Sequence, residues 1–149
     1  MKEVQFLVFG LNGSRFALSL EQVQRVVRAV AVTPVPEAPP GVRGVINVAG
    51  QITPVVDLRP SLRLPETEVS PGDYFILVNT PTGLQALLVN EVLWIITCRE
   101  EDIVPAGDIV PEGGAIRGAV KQDHEIIFIH DLRPQAMAAN SFPALADQE

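Results

Sequence analysis

The sequence predicts a mainly β protein built as two small five-stranded barrels related by internal duplication, and three observations predict it. First, the segment from Val42 to Pro60 recurs without a gap from Ile116 to Pro134, an offset of 74 in a chain of 149 residues. Arg43, Gly44, Ile52, Asp57, Leu58, Arg59 and Pro60 return as Arg117, Gly118, Ile126, Asp131, Leu132, Arg133 and Pro134. Seven identities in nineteen positions exceed the roughly one that average residue usage gives unrelated segments, and a period of half the chain points to duplication. Second, the stretch upstream echoes more weakly: VQFLVFGLNGSRFALSLE from Val4 resembles YFILVNTPTGLQALLVNE from Tyr74, with Gly13 over Gly83 and Glu21 over Glu91. Third, short strand-like runs recur at even spacing between turn residues, which suits small barrels better than a parallel α/β sheet.

Taken in order, Val4 to Phe9 and Arg15 to Leu20 form a hairpin around Asn12-Gly13, residues that tolerate the positive φ of a tight turn. SLEQVQRVV follows, where Ser19 and Gln22 have capping-box spacing and predict about two turns of helix; NEVLWIIT is the matching stretch of the second half. Arg25 to Val32 is rich in β-branched residues and returns to strand before TPVPEAPP, whose four prolines enforce an extended connector. Val45 to Val48 and Gln51 to Leu58 pair around Ala49-Gly50, with Pro54 requiring an edge or a bulge. Phe75 to Asn79 pairs with Leu84 to Val89 around Thr82-Gly83, and a fourth hairpin spans Gly118 to Leu132 around Gln122 to His124. The tail from Gln135 opens with helix-friendly QAMAA, which predicts a short C-terminal helix.

Composition excludes several classes of function. The formal charge of −7 offers no basic footprint for nucleic acid. MKEVQFLVFG lacks the pattern of a signal peptide, and no apolar run reaches the length of a membrane span, so a cytoplasmic protein without direct membrane insertion is expected. Cys98 is the single cysteine and lies in the apolar run WIITC, where a packed thiol is expected.

A search for chemistry returns no catalytic residue, metal site or cofactor. His124 and His130 stand six residues apart on one hairpin with no cysteine to complete a zinc site. GLNG and EGGAIRG match neither the dinucleotide fingerprint nor the P-loop spacing. Asp57 and Asp131 each follow an apolar strand and precede Leu-Arg-Pro, a position from which a carboxylate accepts backbone N–H bonds in the turn that follows. Arg59 and Arg133 read as solvated surface groups.

Written out as TPVPEAPPGVRGVINVAGQITPVVDLRPSL, the first repeat resembles the signature of the CheW-like family, T-P-V-P-x-x-P followed by G-x-x-N-L-R-G-x-x-x-P-V-x-D-L-R. The resemblance runs from Lys2 to about Ala136 and includes LEQV, VNEV and the EEDI-x-P turn from Glu100 to Pro105. It implies a single CheW-like domain over residues 1–149. The lobes would be SH3-like five-stranded barrels at approximately 15–70 and 75–134, with the N- and C-terminal segments exchanged or packed between them.

Further, the resemblance implies a non-enzymatic scaffold for chemotaxis or chemosensory signal transduction. Such an adaptor couples the cytoplasmic tip of methyl-accepting chemoreceptors to the regulatory domain of a CheA-type histidine kinase. By position it assigns partner contacts to Val23, Arg25, Gly44, Asn47, Ala49, Tyr74 and Ile95. The chain departs from the pattern at Ala49, where the family has arginine, at Arg25, where an acidic residue is common, and at Asn90, where V-D has become V-N. Two alternatives stay open: a CheW-like interaction module of a non-motility pathway, favoured by Arg25 and Ala49, and a small β-barrel enzyme or ligand-binding protein.

Overall fold

The computed structural model describes residues 2–109, 115–130 and 132. Each of the four expected hairpins forms. β1 (Glu3–Leu11) pairs with β2 (Ser14–Ser19), β4 (Val42–Val48) with β5 (Gln51–Asp57), β6 (Tyr74–Thr80) with β7 (Gly83–Val89), and β10 (Ile116–Gln122) with β11 (Glu125–His130). β3 (Val23–Arg28), β8 (Glu91–Arg99) and the short β9 (Val104–Pro105) complete the set. Asn12 and Gly13 take φ of 51° and 84°, Ala49 and Gly50 take 50° and 87°, and Asp123 and His124 take 48° and 72°, so three two-residue turns have the left-handed backbone that matches strand twist.

These strands build two sheets of like order. One runs β8-β1-β2-β11-β10-β9 and the other β3-β6-β7-β5-β4. Within each, two antiparallel hairpins meet through one parallel pairing, β2 with β11 and β7 with β5. The crossing strands come from opposite halves: β3 joins β6, and β8 joins β1. Sheet membership therefore runs 23–89 in one case and 3–19 with 91–130 in the other, and does not follow the lobe boundaries of about 15–70 and 75–134. β3 and β8 each leave their own hairpin and cover the outer strand of the other half's hairpin, β6 and β1.

Three apolar clusters stack through the molecule. Phe6, Val8, Ala17, Ile96, Val120, Ile127 and Ile129 fill the six-stranded sheet's interior. Ile46, Val55, Phe75, Leu77, Ala86 and Leu88 fill that of the five-stranded sheet. Between them lies the largest cluster, to which both sheets contribute, among others Phe9, Leu11, Phe16 and Leu18 from one, and Val56, Ile76, Val78 and Leu87 from the other. Burying a shared layer stabilises both sheets at once, because apolar area removed from water contributes about 25 cal/mol per Å².

Cluster membership also corrects the register of the upstream echo. An offset of 70 sets Leu7 on Leu77, yet these face different cores. At 69, Phe6 falls on Phe75 and Ala17 on Ala86 in the barrel interiors, while Leu18 falls on Leu87 in the shared layer. A one-residue slip turns every strand side chain to the opposite face, so burial resolves what identities alone did not. The downstream offset of 74 keeps its faces: Ile46 and Val55 match Val120 and Ile129, and Leu58 matches Leu132.

The two-turn helix expected from SLEQVQRVV does not form. Leu20–Gln22 make one 3-10 turn, Ser19 makes no capping bond, and Val23–Arg28 is strand; NEVLWIIT lies in β8 from Glu91 onward. Helix nucleation fixes several dihedrals for one bond, and Val23, Val26 and Val27 lose rotamer freedom in a helix, whereas pairing with β6 supplies a full ladder. Pro54 pairs with Val45, and β5 gains its second neighbour only from Val55 onward, so the proline occupies the edge position it requires. The helix expected over residues 135–139 lies outside the described residues.

Candidate partner-binding surface and the buried network behind it

The seven residues assigned to partner contact fall into three places. Val23, Arg25 and Tyr74 share the β3–β6 ladder, where β3 is the terminal strand of the five-stranded sheet. Arg25 is exposed, Val23 is half-buried against the shared core, and Tyr74 is half-buried with its ring under the Arg28 guanidinium at 5.5 Å. Arg28 also donates to the Tyr74 hydroxyl at 3.3 Å. Gly44, Asn47 and Ala49 belong to β4 and its turn, at the other end of the same sheet order. Ile95 stands on β8, the terminal strand of the other sheet, with 52% of its surface exposed beside Trp94 at 42%.

Two of the seven have evident structural work. Gly44 is buried at φ +145°, and a side chain there would overlap the carbonyl oxygen of Thr33, which is bridged to Val45 by two backbone hydrogen bonds of 2.9 and 3.0 Å. It acts through backbone approach rather than through an exposed contact. Asn47 accepts the Gly50 N–H at 2.7 Å and so closes the turn that presents Ala49. Arg25, Asn47, Ala49 and Ile95 are exposed.

The DLRP turn holds a group that sequence reasoning placed wrongly. Arg59 is 1% exposed and Asp57 is fully buried, so the arginine is no solvated surface group. Asp57 Oδ1 accepts the Arg59 backbone N–H at 3.0 Å, as the turn reading required, and also accepts Arg59 Nη1 at 3.1 Å. Its other oxygen accepts Arg43 Nη1 at 2.8 Å. Arg59 Nε donates to Asn12 Oδ1 at 2.9 Å and Nη2 to Asn90 Oδ1 at 3.0 Å. Asn90 Nδ2 donates to Asp73 Oδ1 at 3.2 Å. A buried guanidinium needs this density of acceptors to offset its lost hydration. Arg133 lies outside the described residues. Asn12 and Asn90 were legible only as a turn residue and as a departure from V-D, since acceptors for Arg59 come from segments 47 and 31 residues away.

Elsewhere on the six-stranded sheet, the Arg15 guanidinium lies 4.9 Å from the Trp94 ring centroid and its Nη1 is 3.1 Å from Glu125 Oε1. Burial, and next the Asp102 carboxylate, push the Cys98 thiol up, against an opposing pull from Arg117, so it packs beside the apolar interior as a protonated group. Among the described residues no three His, Cys, Asp or Glu side chains group as a metal site would need, and no helix is long and apolar enough to cross a membrane.

A family model described as the CheW-like domain matches residues 5–137. The chain is 32% identical over 146 residues to the chemotaxis protein CheW of Bacillus subtilis, covering 97% of this chain and 94% of that protein. It is 28% identical over 113 residues to protein FrzA of Myxococcus xanthus, covering 74% and 71%. The crystal structure of the scaffolding protein TtCheW from Thermoanaerobacter tengcongensis superposes with a TM-score of 0.79 at 29% identity, covering 88% of this chain and 90% of that one.

Proposed function

The chain belongs to the CheW-like domain family, and from that premise we propose that it is a non-enzymatic adaptor that couples chemoreceptors to a CheA-type histidine kinase. The observation that carries this is the family match from residue 5 to residue 137, extending over both sheets. Its partners are the kinase's regulatory domain and the cytoplasmic tip of methyl-accepting receptors. The contacts run through the exposed members of the assigned set: Arg25 on β3, Asn47 and Ala49 at the β4–β5 turn and Ile95 on β8. Val23 anchors β3 on the shared core, Tyr74 holds Arg28 of that strand, Asn47 also shapes the turn, and Gly44 holds β4 under Thr33. Terminal strands carrying large exposed side chains such as Trp94 and Ile95 are suited to protein contact, because aromatic and apolar anchors dominate interface energetics.

Calorimetric titration of the chain with the regulatory domain, and with a receptor-tip fragment, tests the reading. An interface of about 1,600 Å² or less gives micromolar affinity for each alone. Absence of binding to both at about 100 μM overturns it.

A second reading, a CheW-like module of a separate chemosensory pathway, is favoured by Arg25 and Ala49. Ala49→Arg separates the two. Position 49 has φ +50°, so arginine there adds no backbone strain beyond that of alanine. Toward a kinase from a standard chemotaxis array the variant gains about 0.2–1 kcal/mol if the arginine stays exposed, and about 2 kcal/mol if it becomes a buried hot spot. Toward the cognate kinase of a separate pathway it gains nothing. An equal gain toward both overturns the second reading.

A further inference from the structure

We propose that Arg59, Asn12, Asn90 and Asp73 form a latch that fixes the β1–β2 hairpin of one sheet against the other sheet, and so sets the relative placement of the edges that β3 and β8 present to partners. The functional half of this rests on the adaptor reading; the mechanical half does not.

Apolar burial between the sheets is non-directional, and a layer such as Phe9, Leu18, Val56 and Leu87 resists separation more than sliding. Hydrogen bonds are directional, and in a buried setting they reinforce one another. The latch supplies that direction at one end of the shared layer. Arg59 reaches from the turn after β5 to Asn12 at the tip of the β1–β2 hairpin, at 2.9 Å, and to Asn90, where the chain passes from β7 into β8, at 3.0 Å. Asn12 and Asn90 are also joined directly, since the Asn12 N–H donates to Asn90 Oδ1 at 2.9 Å, and the Asn90 N–H donates to the Gly10 carbonyl at 3.0 Å. Asn12 Nδ2 donates further to the Pro65 carbonyl at 3.0 Å.

Asparagine at position 90 is specific to this arrangement. Its oxygen accepts twice, from Arg59 and Asn12, while its nitrogen donates to Asp73 at 3.2 Å. Aspartate would keep the acceptor and lose the donor, setting two carboxylates against each other. The replacement of V-D by Val89-Asn90 is thus an internal fit to Asp73 rather than a partner-facing change of charge. At the offset of 69 the counterparts of Asn12 and Asn90 are Pro81, whose side chain has no hydrogen-bonding atom, and the exposed Glu21. The asparagine pair that Arg59 meets is therefore not repeated in the sequence.

Hydrogen exchange by mass spectrometry on the full chain tests the mechanics. Asn12→Gly removes both side-chain bonds and suits the residue's φ of 51°, so the turn itself is retained. Exchange should accelerate about tenfold, as loss of one to two net hydrogen bonds implies, in peptides spanning 8–16, 58–66 and 88–94, with 75–80 unchanged. Asn90→Ala, which removes the acceptor as well as the donor, should do the same. Asn47→Gly, which removes the Asn47–Gly50 bond, should accelerate only its own turn. Acceleration confined to residues 11–14, or uniform over all peptides, overturns the latch. Binding of the same variants to the kinase regulatory domain tests the positioning role: Asn12→Gly should weaken it roughly three- to tenfold. Unchanged affinity beside opened exchange removes the role and leaves the adaptor, whereas a wild type that binds no kinase removes the adaptor and leaves the exchange result standing.

Discussion

Gly44 and Gly118 occupy the same point of the two barrels, each lying beneath a segment that bridges to the following residue, Thr33 over Val45 and Val104 over Ala119. At Gly44 the covering carbonyl leaves no room for a Cβ and φ is +145°, whereas at Gly118 the nearest atom to an added Cβ is the Val104 oxygen at 2.6 Å, with Ile103 Cγ2 at 2.9 Å. The same sequence feature thus answers one demand in both halves, close backbone approach, and a second demand, a left-handed backbone, at Gly44. Duplicated copies keep the requirement that neighbouring backbone imposes, while side-chain surroundings diverge.

The largest expected effect tests that pair. Gly44→Ala should lose about 3 kcal/mol or more, from positive-φ strain combined with overlap against backbone. Gly118→Ala should lose about 1–3 kcal/mol through overpacking alone, since β9 is a two-residue strand at the sheet end. Urea denaturation of both variants measures the difference, and equal losses break the comparison.

A smaller effect, of opposite sign, lies where the shared layer is unequal. Phe16 on β2 packs in that layer, and its counterpart Gln85 on β7 is 2% exposed with neither side-chain polar atom hydrogen-bonded among the described residues. Gln85→Met keeps the length and removes the buried amide, so it should stabilise by about 1–2 kcal/mol, the desolvation cost of an unmade bond. A loss of stability would show that the amide is satisfied and that the two sheets are better matched than their sequences suggest.

The smallest effect compares Cys98 with its counterpart Ala29, each packed against its own barrel interior. Burial raises the folded thiol above its ordinary value of 9.0, with Asp102 adding to the rise. The folded state then holds the proton to higher pH than the unfolded state. Stability from this group is full below pH 9.0 and declines as pH rises through the interval up to the folded value. Cys98→Ala should flatten the loss of stability between pH 8 and 10; an unchanged slope would place the titration elsewhere.

The turns show how much was legible locally. Asn12-Gly13 and Ala49-Gly50 announced themselves because few residues accept positive φ, and both hairpins form where they indicate. The alternation around them assigned faces, as in β2, where Phe16 and Leu18 face the shared layer and Ala17 the barrel interior. Ser19 and Gln22 misled, because a capping-box spacing carries less free energy than the ladder that β6 offers to Val23–Arg28. Within the candidate surface the family resemblance picked out Arg25, Asn47, Ala49 and Ile95, which are exposed, together with the buried Gly44, and Arg59 was not legible as buried.

By itself, then, the sequence determined the duplication, the hairpins, their turns and the inward faces, all of which are local periodicities or single-residue backbone preferences. Tertiary structure alone decided that β3 crosses to β6 and β8 to β1, that the upstream repeat sits at 69, and that Arg59 is enclosed by Asn12, Asp57 and Asn90. The physical reason is that alternation states which side of a strand is buried without stating against what, and a guanidinium's place, in water or in the interior, depends on acceptors that only the assembled sheets bring within 3 Å.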